Sequence, residues 1–346
     1  MDDEELWAAL RLGERAPDGA VEAVSLRAPG GVVAHLTVGA AEPVRFPYMC
    51  AAKPIVAAAL LRLVQERPET SLGDPVHAYV PELDRPGKRE ITLLDLLTHR
   101  TGITREPIPR GWDEARIRAW IAGSPVDTAA RTVPRYGMFT SWYLVGLVIE
   151  KLTGTDRVTA VHDLVLGPLG LRIGFGPPAH HGTPPPPVGV LDARSDDPRP
   201  LDWISDPRVL DAAWAGTGMW GDVAQLAAFY SYVLCPHRPH VPGSLARALA
   251  QLSDELGTGM TAWDAGGQGW GYSAGAYTGS GWVGARFAFP AVGVDAATGT
   301  FGFADHTNGV VMTYASNLMR LSTPVLLRRR RIVAAAYRLA GIEAFP

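Results

Sequence analysis

Cysteine is scarce in this chain, which has only Cys50 and Cys235 among its 346 residues. So few thiols argue against a disulfide framework and suit a reducing compartment, the cytoplasm. Neither a Cys-x-x-Cys spacing nor a His-Glu-x-x-His segment occurs, so zinc-site patterns are missing and no metal is expected. Charge of one sign is also lacking. The formal net charge is −3 with no dominant basic stripe, which excludes nucleic acid as a partner. No run of 18 apolar residues is present, so a membrane-spanning helix is excluded. The acidic opening, MDDEELWAALRLGERAPDG, lacks the basic and apolar regions of a secretory signal.

What is present is an ordinary globular balance, 47% apolar and 19% charged, in a chain longer than a single core usually supports. Two lobes are therefore expected. Val21 to Leu26 and Gly31 to Val38 are β-branched runs joined by Arg27-Ala-Pro-Gly, a hairpin pattern, and Pro43 to Tyr48 is a third short extended segment. Helical spacing follows in Cys50 to Glu66, in Ile91 to Ile103 with Thr92 as N-cap and Gly102 as closing residue, and in Trp112 to Ala122. Further helices are read at Phe139 to Leu152 before Gly154, Gly221 to Leu234, Leu245 to Leu256 and Pro324 to Ala340. The run Pro184 to Pro187 excludes helix and central strand, and reads as surface connection. Gly284 to Pro290, Thr300 to Ala304 and Val310 to Ala315 return to β texture, with Asn308-Gly309 as a hairpin turn. Strands at both ends and helices between predict one sheet built from residues 1–48 and 265–346, beside a mainly helical lobe over 49–264.

The stretch FPYMCAAKPIVAAALLRLVQE, Phe46 to Glu66, carries the candidate chemistry. Pro54 is tolerated only in a first turn, which predicts a helix opening at Cys50. Cys50 and Lys53 are three apart and share one face. A thiol in the positive field of a helix start, beside an ammonium, is favoured as thiolate and is a candidate nucleophile. The alternative is a small core cysteine in an alanine-rich helix. Against it stands Lys53, a charge in an apolar segment that is costly without a partner or a task. His99 reads as a hydrogen-bonding structural residue, and adjacent His180 and His181 in a proline-rich loop point apart. Arg328 to Arg331 cannot share one helix face and read as solvated or snorkelling side chains.

FPYMCAAKP, ITLLDLLTHRTGI, the segment from Tyr136 through GLVIEKLTG, AGTGMWGDVAQLAAFY and VVMTYASN come in an order that resembles the penicillin-binding-protein and class C β-lactamase superfamily, with its esterases and transacylases. The resemblance covers nearly the whole chain. It implies an α+β fold: an antiparallel sheet flanked by terminal helices, a helical lobe, and an acyl-transfer site between them. It puts Cys50 in the place of the nucleophilic serine, Lys53 in that of its basic partner, and Tyr136 in that of the proton-shuttling tyrosine. The family's asparagine after that tyrosine is missing, since Gly137 and Met138 stand there. His306-Thr307-Asn308-Gly309 imitates the third motif by composition, yet VVMTYASN follows it at once. Counting back from that strand assigns the place to Ala291-Val292-Gly293, which has no cation to grip a substrate carboxylate. An oxyanion hole needs only backbone amides, here those of Cys50 and Val294. Trp142, Trp214, Trp220, Trp270 and Trp282 fall near the cleft by alignment of these landmarks, as a lining for an apolar acyl group.

A cysteine in the serine's place makes the acyl-enzyme a thioester, which amines and thiols attack more readily, relative to water, than they attack an oxygen ester. The expected reaction is acyl transfer from a small-molecule or peptidyl donor, an ester or a carrier- or CoA-bound thioester, to an amine, alcohol or thiol, with no cofactor. Two alternatives stay open: a hydrolase using the same residues with water, and a non-catalytic scaffold.

Overall fold

The expected hairpin forms, and it is joined in one sheet by strands from the far end of the chain. The computed structural model describes residues 8, 20–40, 44–106, 111–176, 191–192, 199–201, 214–253, 270–279, 291–296, 299–319 and 323–342. The readings placed on His180, His181, Pro184 to Pro187, Trp282 and Gly284 to Pro290 lie outside these residues. The strands are β1 (Glu22–Ala28), β2 (Gly31–Val38), β3 (Phe46–Pro47), β4 (Gly174–Phe175), β5 (Leu191–Asp192), β6 (Arg199–Pro200) and β7 (Met219–Gly221). They continue as β8 (Trp270–Tyr272), β9 (Tyr277–Gly279), β10 (Ala291–Asp295), β11 (Phe301–Asp305), β12 (Val310–Ser316) and β13 (Leu318–Met319). The main sheet has seven strands in the order β2-β1-β12-β11-β10-β9-β8, every pair antiparallel.

The helices are α1 (Lys53–Glu66), α2 (Leu93–Leu97), α3 (Glu114–Ala122), α4 (Thr140–Thr153), α5 (Arg157–Val161), α6 (Val223–Leu234), α7 (Gly243–Leu252) and α8 (Thr323–Leu339). Because side chains alternate across a strand, the sheet feeds two cores. Leu26, Phe301, Phe303 and Met312 pack with Ile332, Val333 and Tyr337 of α8. Val292, Val294, Ala304 and Val311 join the large core built on α1. Helix α6 lies on β1, β11 and β12, and Thr313 donates to the Val223 carbonyl at 2.8 Å. It therefore belongs to the sheet's layers, although the sequence reading places it within 49–264.

Helix α1 is the spine. Residues 53 to 61 are fully buried, and α4 and α7 pack against it. A helix apolar all round is an interior helix, and burying Leu60 or Leu61 stabilises the fold by about 1.5–3 kcal/mol each.

Three boundaries differ from expectation. Cys50 does not open the α-helix: Met49–Ala52 form a 3-10 turn, and the α-helix begins at Lys53 with Pro54 in its first turn. Helix α2 is held by a Thr92/Asp95 capping box and ends at Leu97. Gly102 lies beyond its end and does not close it. The left-handed residue that ends α2 is His99, at φ 59, and Gly102 turns the chain against Asp127, whose N–H donates to its carbonyl at 2.8 Å. Helix α7 is shorter than read because it ends at Leu252.

Candidate active site

The turn carrying Cys50 is held from behind by β7. The Tyr48 N–H donates to the Met219 carbonyl at 2.9 Å, and the Tyr48 hydroxyl donates to the Asp222 carbonyl. Gly221 is required there, because a Cβ would sit 2.3 Å from that hydroxyl. Met49, just ahead of Cys50, has φ 48. For a residue other than glycine this conformation costs about 1–2 kcal/mol, held by the surrounding packing. Cys50 is consequently displayed on a tight turn rather than along a helix face. It is 3% exposed.

Lys53 is fully buried, and its Nζ donates to the Gly216 carbonyl at 3.1 Å. Burial lowers its pKa, while the charge of Cys50 and a hydrogen bond to that side chain, then the charge of Glu106, act in the opposite direction. The ammonium lies 5.4 Å from the centre of the Tyr136 ring and 5.6 Å from that of Trp142. Two glycines let these parts approach. A Cβ on Gly216 would meet the Trp142 Cβ at 2.7 Å, and one on Gly275 would meet the Trp142 ring at 2.3 Å.

Tyr136 completes the cluster. Burial pushes its pKa well up, and its interactions with Cys50, Tyr277 and Asp295 add to the rise. Its ring lies 4.5 Å from that of His99 and stacks on Tyr277 at 6.1 Å. His99 Nδ1 accepts the Gly137 N–H at 3.0 Å, which fixes the ring as a neutral acceptor on that side. Burial and the nearby Lys53 depress its pKa to about 3, so it stays neutral at ordinary pH. The structural reading of His99 holds.

Strand β10 passes the Cys50 turn. Gly293 pairs with Tyr277 on one side and Phe303 on the other, and a Cβ there would meet the Gly302 carbonyl oxygen at 2.1 Å. Val294 lies one residue beyond the β9 ladder, near the buried Tyr230, whose pKa is raised by burial. Asp295 follows, paired with the buried Arg329 of α8 at 2.7 Å. By contrast His306 to Gly309 form the β11–β12 turn, where the amides of Thr307 and Asn308 donate to Asp305. Of the two segments, β10 is the one that contacts the Cys50 turn.

Of the five tryptophans expected to line a pocket, Trp142, Trp214 and Trp220 have described side chains, and all three are buried. Trp142 is fully buried behind Lys53 and His99, and so supports the site instead of facing an acyl group. Trp220 is 3% exposed and pairs through its backbone with Pro47, bracing the turn. Trp214 packs edge-on against Phe139. Among the described residues no group of His, Cys, Asp and Glu could hold a metal, and no helix is long and apolar enough to cross a membrane.

One residue escaped the sequence reading. Glu106 accepts the amides of Met138, Phe139 and Thr140 at 2.7, 3.0 and 3.0 Å, capping α4 from another loop. The only local signal is a carboxylate after THRTGITR, with no periodicity to single it out.

A family model described as Beta-lactamase matches residues 23–337. Among curated proteins, the esterase EstB of Burkholderia gladioli is 32% identical over 166 residues, which is 39% of this chain and 41% of that protein. The match thus spans about two fifths of that relative's length. Among solved structures, EstCE1, described as a hydrolase with promiscuous acyltransferase activity, superposes with TM-score 0.76 at 16% identity, covering 95% of this chain and 97% of that one. A D-stereospecific amidohydrolase from Streptomyces sp. gives 0.73 at 20% identity over 97% and 99%. A penicillin-binding-protein homologue from Caulobacter crescentus gives 0.73 at 17% identity over 97% of each. At such identities these structures share the fold with this chain.

Proposed function

The chain belongs to the Beta-lactamase family of esterase, amidase and acyl-transfer folds, and from that premise we propose that it is an acyltransferase working through a Cys50 thioester. The observation that carries the reading is that the buried Lys53 amine lies 5.4 Å from the centre of the Tyr136 ring, and that both residues interact electrostatically with the buried Cys50 side chain. In the first half-reaction the sulfur bonds to the carbonyl carbon of an ester or thioester donor. The donor's bond to its leaving group breaks, and the thiol proton passes by way of Lys53 and Tyr136 to that group. In the second, an amine, alcohol or thiol attacks the thioester, loses its proton to the same pair, and Cys50 is released. The amides of Cys50 and Val294 would receive the tetrahedral oxyanion. Along β10 the backbone at Gly293 would follow the acyl chain. With Gly293 where a cation would stand, the donor need not carry a carboxylate; carrier- or CoA-bound and peptidyl donors both fit. The sparse thiols support a cytoplasmic setting.

Hydrolysis by the same residues is the second reading, favoured by the partial likeness to an esterase. Incubation with simple acyl thioesters followed by mass spectrometry tests both. Wild type should gain one acyl group, on Cys50, and Cys50→Ala none. An added amine should then divert product from free acid to amide. A folded protein that forms no adduct with any ester or thioester donor would be a binding scaffold.

A further inference from the structure

A cavity of about 130 Å³ opens between the start of α6 and residues of β1, β2 and β3, apart from the Cys50 cluster. Val44, Phe46 and Val223 make its floor, and all three are buried. Two opposite charges line the same small space. Arg172 is exposed and Asp222 half-buried, and the exposed His35 stands at the mouth. Both charges are tied to one helix start: the Arg172 N–H donates to Gln225 Oε1 at 2.7 Å, and the Gln225 N–H donates to Asp222 Oδ1 at 2.8 Å. Yet among the described residues the Arg172 guanidinium and the Asp222 carboxylate form no ion pair, with each other or with any other group. Arg45, between Val44 and Phe46, donates instead to the Trp220 carbonyl at 3.0 Å. Opposite charges held apart over an apolar floor are complementary to a ligand that carries both charges itself.

We propose that this cavity binds a free α-amino acid with a small apolar side chain. Its carboxylate would meet the Arg172 guanidinium, its ammonium the Asp222 carboxylate, and its side chain the floor of Val44, Phe46 and Val223. A guanidinium fork matches the two oxygens of a carboxylate, and Asp222 keeps one oxygen for the ammonium. Size sets the upper limit. An apolar cavity of about 150 Å³ admits a benzene ring, so this one takes the isopropyl group of valine and excludes an indole. The site does not depend on the acyl-transfer reading, since none of Cys50, Lys53 and Tyr136 lines it. It stands directly behind the support of the Cys50 turn, because Phe46 pairs with Gly221 and the Asp222 carbonyl accepts the Tyr48 hydroxyl.

The test is a titration of the intact protein, labelled with nitrogen-15, with L-valine and no acyl donor. Amide shifts read both the affinity and the place. The largest should fall on Val223, Ala224 and Gln225. Valinamide, which lacks the carboxylate, and N-acetylvaline, which lacks the ammonium, should each bind roughly tenfold more weakly than valine. Arg172→Gln should weaken valine roughly tenfold and leave valinamide where it was. Asp222→Asn keeps a good helix cap, and should weaken valine as much while leaving N-acetylvaline unchanged. No shift up to the solubility of valine overturns the proposal. So do shifts centred on Tyr136 and Gly293, which would put valine in the acyl-transfer site. Binding of either derivative as tightly as valine, or a valine affinity that neither variant moves, would show that the two charges do not recognise the ligand, and overturns it as well.

Discussion

Two buried polar clusters in this molecule are built from similar residue types and do opposite things. Around Asp305, the carboxylate accepts the amides of Thr307 and Asn308, the Asn308 side-chain amide at 2.7 Å and the Tyr337 hydroxyl at 2.7 Å. Its acceptor capacity is filled by donors of one hairpin turn and of α8. Around Cys50, a fully buried ammonium, a tyrosine and a thiol share one another, with a strained Met49 and a strained His99 beside them. The first cluster has nothing left to give a substrate. In the second, burial pushes Lys53 and Tyr136 toward their neutral forms and the thiol is their common partner, an arrangement that can move a proton. Composition does not separate the two, for the turn holds the His-Thr-Asn-Gly string that imitates a family motif. What separates them is that the Asp305 donors close on a single carboxylate, while around Cys50 a buried amine and a buried phenol gather beside a thiol.

The contrast can be broken most severely at the sulfur. Cys50→Ala should abolish acyl-adduct formation, read by mass spectrometry, with the exposed Cys235 remaining as the only thiol that alkylates. Next come Lys53→Met and Tyr136→Phe. Each should slow acylation by roughly a hundredfold or more, measured by single-turnover kinetics. Lys53→Met should leave the melting temperature unchanged or higher, because it removes a desolvated charge. Asp305→Ala should do the reverse. Stranding four donors should cost about 3 kcal/mol in urea unfolding, while the acylation rate of the folded protein stays at the wild-type value. An acylation rate that falls with Asp305 as steeply as with Lys53 would erase the distinction between the clusters.

At neutral pH the smallest expected effect on stability belongs to His99, and its acid limb sharpens the same line. Its pKa is about 3 in the folded state, against 6.5 for an ordinary histidine, so the unfolded chain binds the proton first. Stability is therefore whole above pH 6.5 and falls as pH drops from there toward 3, by about 1.4 kcal/mol per pH unit from this group. Asn tolerates the left-handed backbone and offers an oxygen to the Gly137 amide. His99→Asn should thus flatten the acid limb of a stability-against-pH curve and leave the pH profile of acylation without any lost inflection between pH 5 and 8. A missing inflection would make His99 a catalytic base.

Much of this was legible in the residues. Pro54 placed the start of α1 to within a turn, the β-branched runs of β1 and β2 and the apolar run of β12 placed the sheet, and Thr92 capped α2 as read. These are local statements, each decided by neighbours a few positions away. The misses were not local. Cys50 stands on a 3-10 turn because β7, some 170 residues on, pins Tyr48. Trp142 lies behind Lys53 because Gly216 and Gly275 leave room for it. Glu106 could not be found by periodicity, since its partners are amides more than 30 residues away.

Taken alone, the chain's order of side chains determined which segments become helix and strand, which residues offer a thiol and an amine, and how far apart along one turn they stand. Only the tertiary structure decided the state of those groups: that Lys53 is stripped of water, that its amine lies over the Tyr136 ring, and that a carboxylate from a separate loop caps the helix that follows Tyr136. Spacing is covalent and can be read from the chain. Solvation and electric field are sums over everything packed around a group, and exist only once distant parts of the chain have closed upon it.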